Sequence, residues 1–489
     1  MKAIFISSLL VLLSFGVNAQ NDKSITIGKK ETINSKILNE DRTIWIYTPN
    51  ITSQFTVPDK RYPVLYLLDG DAHFFSTVGI IQQLSQANGN GVLPEMIVVA
   101  VVNTNRIRDL APSAEAGKTN PFVDFLSAEL VPYIDKNHKT APYKLLVGHS
   151  LGGLTAIDIL SRSPQSFNAY IAIDPSLWLA NEKIANNVIA RFPTQNMTGR
   201  RLFIGTANTM PKRMVVSQVT RDNSPETQHI RSIFKLDEFL KTNSNGLLYA
   251  QKYYESERHN TVPLLSEYDG LRSIFDYFFL DLGEKDFADP TASIARKLKT
   301  HYANVSQKLG YTNSAPQALI NYLGYEALGK NQYEKAQALF ELNIDSYPAS
   351  SNVYDSYGDY FLAKKDTANA ITNYKKALQI KDTVETRRKL DALVQKETSA
   401  SQSVDLQKYT GLYVLETYNI PITLEIRDTK LWAKVEGQKD EELQLLSENV
   451  FSLKSKQGHT ITFQMDGDKP TGFTSVEPIG TFKAIFKSK

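Results

Sequence analysis

Tyr143-Lys144-Leu145-Leu146-Val147 runs into Gly148-His149-Ser150-Leu151-Gly152-Gly153 and then into Leu154-Thr155-Ala156-Ile157-Asp158-Ile159-Leu160. A short apolar run, Gly-x-Ser-x-Gly and a helix-like stretch stand in the order that a strand–turn–helix elbow requires. In such an elbow a serine occupies a strained corner with its hydroxyl clear of the sheet. Glycines flank it because a Cβ there would collide with the neighbouring strand or helix. The helix that starts behind the serine favours developing negative charge at its N-terminus. Gly-x-Ser-x-Gly alone is a weak pattern, but in this context it points to Ser150 as a nucleophile.

Outward from the elbow, strand-like and helix-like segments alternate. Strands are expected at Thr43–Tyr47, Val64–Leu68, Met96–Val102, Lys144–Val147, Ala169–Ile173, Arg201–Ile204 and Leu247–Tyr254. Several are continuous apolar runs, which suits strands covered on both faces. Helices are expected at Phe122–Asn137, Leu151–Arg162, His229–Leu240 and Leu265–Phe279. The alternation predicts an α/β domain over 20–283, with a mostly parallel sheet between helical layers.

The chain has 489 residues, more than one ordinary core holds. Its 55 basic and 52 acidic residues leave a formal charge of +3, which gives no reason to expect nucleic acid as a partner. It has no cysteine, which excludes disulfides, thiolate metal sites and a cysteine nucleophile. Lys2, the apolar run Ala3–Val17 and the small residues of Val17-Asn18-Ala19 read as a signal peptide over 1–19. The expectation is an exported protein, periplasmic or extracellular in a bacterium, without a membrane span.

From about 315 the pattern becomes purely helical and repeats with a period of 34: Gly324 aligns with Gly358, Ala336 with Ala370, and Phe340 with Tyr374. These are small and large packing positions of a tetratricopeptide repeat, so 284–396 is expected to be a helical, tetratricopeptide-like unit. A spacer or self-associating bundle over 315–396 is favoured over a peptide-binding groove, since two repeats offer little concave surface. A Ser-rich linker follows, and 405–489 then alternates short apolar runs with turns. That texture predicts a small all-β meander or barrel. It resembles the small lipocalin-like domain appended to many exported bacterial serine hydrolases.

A serine nucleophile needs a base, and the base needs an orienting group. Of the seven histidines, only His229 and His259 follow Ser150 within the α/β domain. His229 falls in a helix-like stretch, where a surface position is expected. His259 lies in Glu255-Ser256-Glu257-Arg258-His259-Asn260-Thr261, between the last strand and the final helix, and is the expected base.

Val64-Leu65-Tyr66-Leu67-Leu68-Asp69-Gly70, Arg106-Ile107-Arg108-Asp109-Leu110, the Ser150 elbow, Asp174-Pro175-Ser176-Leu177-Trp178 and the His259 loop together resemble the esterase D-like family. Exported siderophore and feruloyl esterases belong to it. The resemblance implies an α/β-hydrolase fold that acts on carboxylic esters. It also implies an oxyanion hole made of the backbone N–H groups of Leu151 and Asp71, each donor worth about 3–4 kcal/mol in the transition state. Family members often carry an acid after the strand Leu202-Phe203-Ile204, where this chain has Asn208. Asp174, then Asp222 or Glu226, are candidate replacements; a Ser-His dyad is the third option. Trp178, His73, Phe74 and Phe75 are expected on loops at the strand C-termini as a substrate-binding rim. Arg106 and Arg108 suit either an anionic group or an internal ion pair. No cofactor or metal motif occurs. The reading is a serine ester hydrolase acting on a small-molecule ester, with acyl transfer or a non-catalytic scaffold as alternatives.

Overall fold

The computed structural model describes residues 25–49, 60–85, 91–113, 115, 118–394, 405–456, 458–478 and 480–489. The expected signal peptide and the Ser-rich linker lie outside the described residues. Eight strands form the main sheet: β1 (Lys29–Ser35), β2 (Glu40–Tyr47), β3 (Tyr62–Leu67), β4 (Ile97–Val101), β5 (Thr140–His149), β6 (Ala169–Ile173), β7 (Arg201–Ala207) and β8 (Leu248–Tyr254). Their order is β1-β2-β4-β3-β5-β6-β7-β8. β2 runs antiparallel to both neighbours, and from β4 onward all pairings are parallel. This mixed sheet is consistent with an α/β-hydrolase fold.

The continuous apolar runs of β3 and β4 divide their side chains between two cores. Val64, Tyr66, Ile97 and Val99 point to the face covered by the helix Leu151–Arg162. Leu65, Leu67, Val98 and Ala100 point to the face covered by the helices Gly70–Ser85 and Val262–Ile274. The alternation is the pleat of the strand, with both sides dry.

Several elements of this domain were not expected, among them β1, the helix Gly70–Ser85 and the helix Lys183–Arg191. β1 has the polar sequence Lys-Lys-Glu-Thr-Ile-Asn-Ser and lies at the sheet edge, where only Ile33 and Ser35 are buried. An edge strand with one wet face shows no apolar run. The helix Gly70–Ser85 replaces the loop expected around His73, Phe74 and Phe75. Its buried Phe74, Val78, Ile81 and Leu84 fall at helical spacing. The expected helix over 122–137 is interrupted by a π-helical turn at Leu126–Leu130, next to Pro132, which has no N–H to offer the ladder.

Beyond the sheet domain, the described residues form a short helix, Glu284–Ala288, and then six longer ones: Ser293–Leu309, Gln317–Gly329, Tyr333–Ser346, Ser351–Ala363, Thr367–Ile380 and Val384–Val394. A Cβ placed on Gly324 would stand 2.7 Å from the Phe340 ring, and one placed on Gly358 would stand 2.4 Å from the Tyr374 ring. The same glycine-to-aromatic contact thus recurs 34 residues on. The helix Ser293–Leu309 belongs to two cores: Val305 and Leu309 join the sheet, while Ile294, Ala295 and Leu298 join the helices.

The C-terminal segment is a closed barrel of eight antiparallel strands, in which Gly480–Ser488 pairs back onto Gly411–Leu415. A turn at Glu448-Asn449 separates the strands Glu441–Ser447 and Val450–Leu453, and Asn449 has φ of 63°. Aromatic side chains fill the interior: Tyr413 packs on Phe463 and Phe473 at centroid distances of 5.8 and 5.2 Å. Among the described residues, no helix is long and apolar enough to cross a membrane.

Candidate active site

The elbow forms where β5 ends. Ser150 has φ 58° and ψ −111°, a conformation that L-residues rarely adopt. Its backbone N–H donates to Ile173 O at 2.9 Å, and its carbonyl accepts from Ser176 N at 3.0 Å, so both sides of the corner are held. A Cβ on Gly148 would come within 2.3 Å of the Gly152 backbone, so strand and helix approach there as only glycine permits.

Ser150 Oγ lies 3.1 Å from His259 Nε2, and His259 Nδ1 lies 2.6 Å from Asp174 Oδ2. A carboxylate accepts only, so His259 donates through Nδ1 and its Nε2 is left to accept the serine hydrogen. Asp174 is fully buried at the end of β6 with φ of 40°. Its Oδ1 accepts the Ala207 N–H at 2.9 Å. Burial alone would raise this carboxyl, but the bonds from His229 and His259, the charge of His229 and the Ala207 N–H outweigh it and hold it down at about 2.

Asn208 stands where a family acid was expected and does a different job. Its N–H donates to Glu257 O at 2.8 Å and its Nδ2 to Glu255 O at 2.9 Å, which ties β7 to the loop that carries His259. Asp222 is turned to Ser224 and Thr227. Neither Asp222 nor Glu226 is among the partners of His259.

The surface position expected for His229 is not what is found. Its Nε2 reaches Asp174 Oδ2 at 2.8 Å. His229 lies on the stripe that includes Ile233, Leu236 and Leu240, the buried face of its helix, and that spacing is the signal for an inward histidine. Ser176 was also missed. It is buried, and its Oγ lies 3.0 Å from Ser150 Oγ. Because Ser150 donates to His259, the Ser176 hydroxyl is the donor in that contact.

A cavity of about 310 Å³ opens in front of Ser150, lined by Asp69, Asp71, His73, Asn103, Arg106, His149 and His259 among others. Asp71 and His73 belong to the first turn of Gly70–Ser85, where N–H groups have no acceptor within the helix. The same holds for Leu151, the first residue of its helix. The rim expected from aromatic residues is corrected in part. Phe74 points away into the core, 3% exposed, with its ring against Trp45. Trp178 is 42% exposed and lies outside the residues that line the cavity. A helix turns successive side chains by about 100°, so His73 and Phe74 cannot both face the cavity.

Arg106 lines the cavity while bonded to both oxygens of Asp69, at 2.6 and 2.9 Å. Arg108 is spent on Glu40 and Asp109. His149 donates its Nε2–H to the His259 carbonyl at 2.8 Å. Burial, then the neighbouring His259 and His73, lower His149 to about 4, so it stays neutral beside the base. Among the described residues, Asp174, His229 and His259 bring three metal-type donor atoms within 4.8 Å of one another. In this structure those atoms are engaged with each other.

A family model described as "Putative esterase" matches residues 35–228. The match includes Ser150 and Asp174 and ends before His229 and His259. The ferri-bacillibactin esterase BesA of Bacillus subtilis is 27% identical over 183 residues, 33% of this chain and 63% of that protein. The apo-salmochelin esterase of Escherichia coli is 29% identical over 178 residues, 32% of this chain and 53% of that protein. The chain therefore spans less than two thirds of the length of either relative. Among solved structures, an IroE-like serine hydrolase from Shewanella oneidensis aligns with a TM-score of 0.53 at 26% identity, over 65% of this chain and 99% of that one. Both named relatives are esterases, and the named structure is a serine hydrolase.

Proposed function

We propose that the α/β domain hydrolyses a small-molecule carboxylic ester through an acyl-enzyme on Ser150, with His259 as base and Asp174 as its orienting acid. The observation that carries this reading is the hydrogen-bond chain from Ser150 Oγ through His259 to Asp174, at 3.1 and 2.6 Å. Ser150 Oγ attacks the ester carbon while His259 Nε2 takes its proton. The N–H groups of Leu151 and Asp71 receive the negative charge on the carbonyl oxygen. The imidazolium then returns the proton to the leaving alkoxide, and a water activated by the same nitrogen releases the acid. Ser176, donating to Ser150 Oγ, fixes the direction of the serine lone pairs.

The named activities of the Bacillus and Escherichia relatives make a siderophore ester the first substrate to try. The polar cavity supports that choice, since Arg106 keeps part of its guanidinium on the cavity surface beside Asp69. Among the described residues, the helices and the barrel carry no comparable nucleophile–base pair. The recurring glycine-to-aromatic contact supports a tetratricopeptide-like packing of 317–380, in a role of support or assembly. Export rests on the sequence of residues 1–19 alone.

The test is fluorophosphonate labelling together with a panel of chromogenic short-acyl esters and catecholate siderophore esters. The wild type should label and turn over esters, and Ser150→Ala should do neither. Labelling that persists in Ser150→Ala would remove Ser150 as the nucleophile.

A further inference from the structure

Glu267 is a buried carboxyl group that the chain from Ser150 to Asp174 does not use. It is 1% exposed, in the helix Val262–Ile274. Its Oε2 is 3.1 Å from Ser76 Oγ. Its Oε1 has no hydrogen-bond partner and faces His73 Nδ1 at 3.8 Å. A polar oxygen buried without a partner costs about 1–3 kcal/mol, so this one calls for an explanation. The group it faces lines the cavity of Ser150 and His259.

The partnerless oxygen and the burial of both groups give the state of the pair. Ser76 Oγ lies 2.9 Å from the His73 carbonyl as well as 3.1 Å from Glu267. One hydroxyl hydrogen serves only one of these acceptors. Ser76 therefore donates to one of them, and the acid hydrogen of a neutral Glu267 sits on the partnerless Oε1, the oxygen that faces His73. Burial agrees, pushing this carboxyl up to about 8. His73 is kept low, first by its own burial, so it too is neutral at pH 7.

We infer that Glu267 is a positioning residue for His73: its acid proton hydrogen-bonds His73 Nδ1, fixing the tautomer in which His73 Nε2–H faces the bound ester. The pair stands at 3.8 Å, and the proposed hydrogen bond forms when the imidazole turns toward Oε1. With Nδ1 accepting, the ring hydrogen resides on Nε2, on the opposite side of the ring from Glu267. That hydrogen is a third donor for ester oxygens beside the N–H of Asp71. When Glu267 loses its proton it becomes an acceptor, draws the ring hydrogen to Nδ1 and leaves Nε2 bare. His73 also faces Asp69, Asp71, Arg106 and His149, and Glu267 faces Ser76 and Thr77 on the first helix. Burial holds the Glu267 carboxyl up at about 8.

This inference rests on the serine-esterase reading, and Ser150→Ala tests that reading separately. The experiment measures kcat and KM for a chromogenic ester from pH 6 to 10, on the full chain, for wild type, Glu267→Gln, Glu267→Leu, His73→Ala and the double variant His73→Ala/Glu267→Leu. Glu267→Leu should lower kcat about tenfold. Glu267→Gln, whose amide also donates to Nδ1 but cannot ionise, should recover most of that loss and should lack the wild-type fall in activity above about pH 8. In the His73→Ala background Glu267→Leu should add nothing. An unchanged alkaline limb in Glu267→Gln overturns the inference, as does an equal cost of Glu267→Leu with and without His73. If Glu267→Leu does not fold, the alkaline limb of Glu267→Gln decides alone.

Discussion

His229 donates its Nε2–H to Asp174 Oδ2 over 2.8 Å, the same oxygen that receives the Nδ1–H of His259 at 2.6 Å. Asp174 therefore serves two histidines, with Ala207 N–H on its other oxygen. Only His259 also reaches the serine. His229→Gln should lower kcat about tenfold by loosening the carboxylate, whereas His259→Gln should cost several orders of magnitude, because triad members act as a unit. Steady-state kinetics of the two variants at pH 7 check this. Equal losses at both positions would mean that His229 takes part in proton transfer.

Asp174→Asn bears on the same carboxylate. An amide cannot stabilise the imidazolium and can hold the wrong tautomer, and on another fold the equivalent change costs about 10⁴ in kcat. A loss of that order is expected here, with Asp222→Asn and Glu226→Gln near wild type. Stability should change as well. A carboxyl held at about 2, below its ordinary 3.8, contributes stability above pH 3.8 that is lost as pH falls through 2. Asp174→Asn should thus unfold at lower urea than wild type at pH 7, by a margin that shrinks toward pH 2.

The parts of this molecule legible in its sequence are those where one local rule dominates. β6 and the helix Leu151–Arg162 fall where apolar runs and the glycine elbow put them. Chain order pointed to His259, whose Nε2 lies 3.1 Å from Ser150 Oγ. What stayed hidden depends on packing across long separations. Asp174 and His229 are 55 residues apart, and only the seating of the helix Gln228–Thr242 brings them together. Glu267 falls in the expected helix Leu265–Phe279 and was not singled out, yet Glu267, Leu271 and Ile274 share one buried stripe. An acid on an apolar stripe is a legible sign once the stripe is drawn. β1 and the first helix were lost for a different reason. One is polar at an edge, and the other sits among residues assigned to a rim.

The shared helix Ser293–Leu309 sets where the catalytic domain can be cut. Val305 and Leu309 are at most 1% exposed, and they pack in the same cluster as Phe275. His301 adds a bond from Nε2 to Phe278 O at 3.0 Å. A protein of residues 20–283 should be less stable than one of 20–314 by about 3–6 kcal/mol, from two aliphatic side chains at about 1.5–3 each. Where both fold, kcat/KM on a small ester should be alike. Urea unfolding with matched kinetics checks it. A folded 20–314 without activity would show that the helices or the barrel complete the site.

Glu267 also makes a prediction about folding that involves no substrate. Its carboxyl is raised from 4.5 to about 8 by burial. Between those pH values the folded chain keeps the proton and the unfolded chain releases it. The neutral acid therefore contributes stability that is fully present below about pH 4.5 and is lost as pH rises through 8, at up to about 1.4 kcal/mol per pH unit. Glu267→Gln has no such proton to lose. Every other carboxylate titrates alike in the two proteins and cancels in their difference. The Tm of Glu267→Gln should accordingly gain on wild type steadily from pH 5 to pH 8 and stay level above it. Calorimetry at pH 5, 6.5, 8 and 9 measures this directly. A Tm difference that does not change with pH would mean that Glu267 ionises at its ordinary value, and His73 would then face a carboxylate at neutral pH.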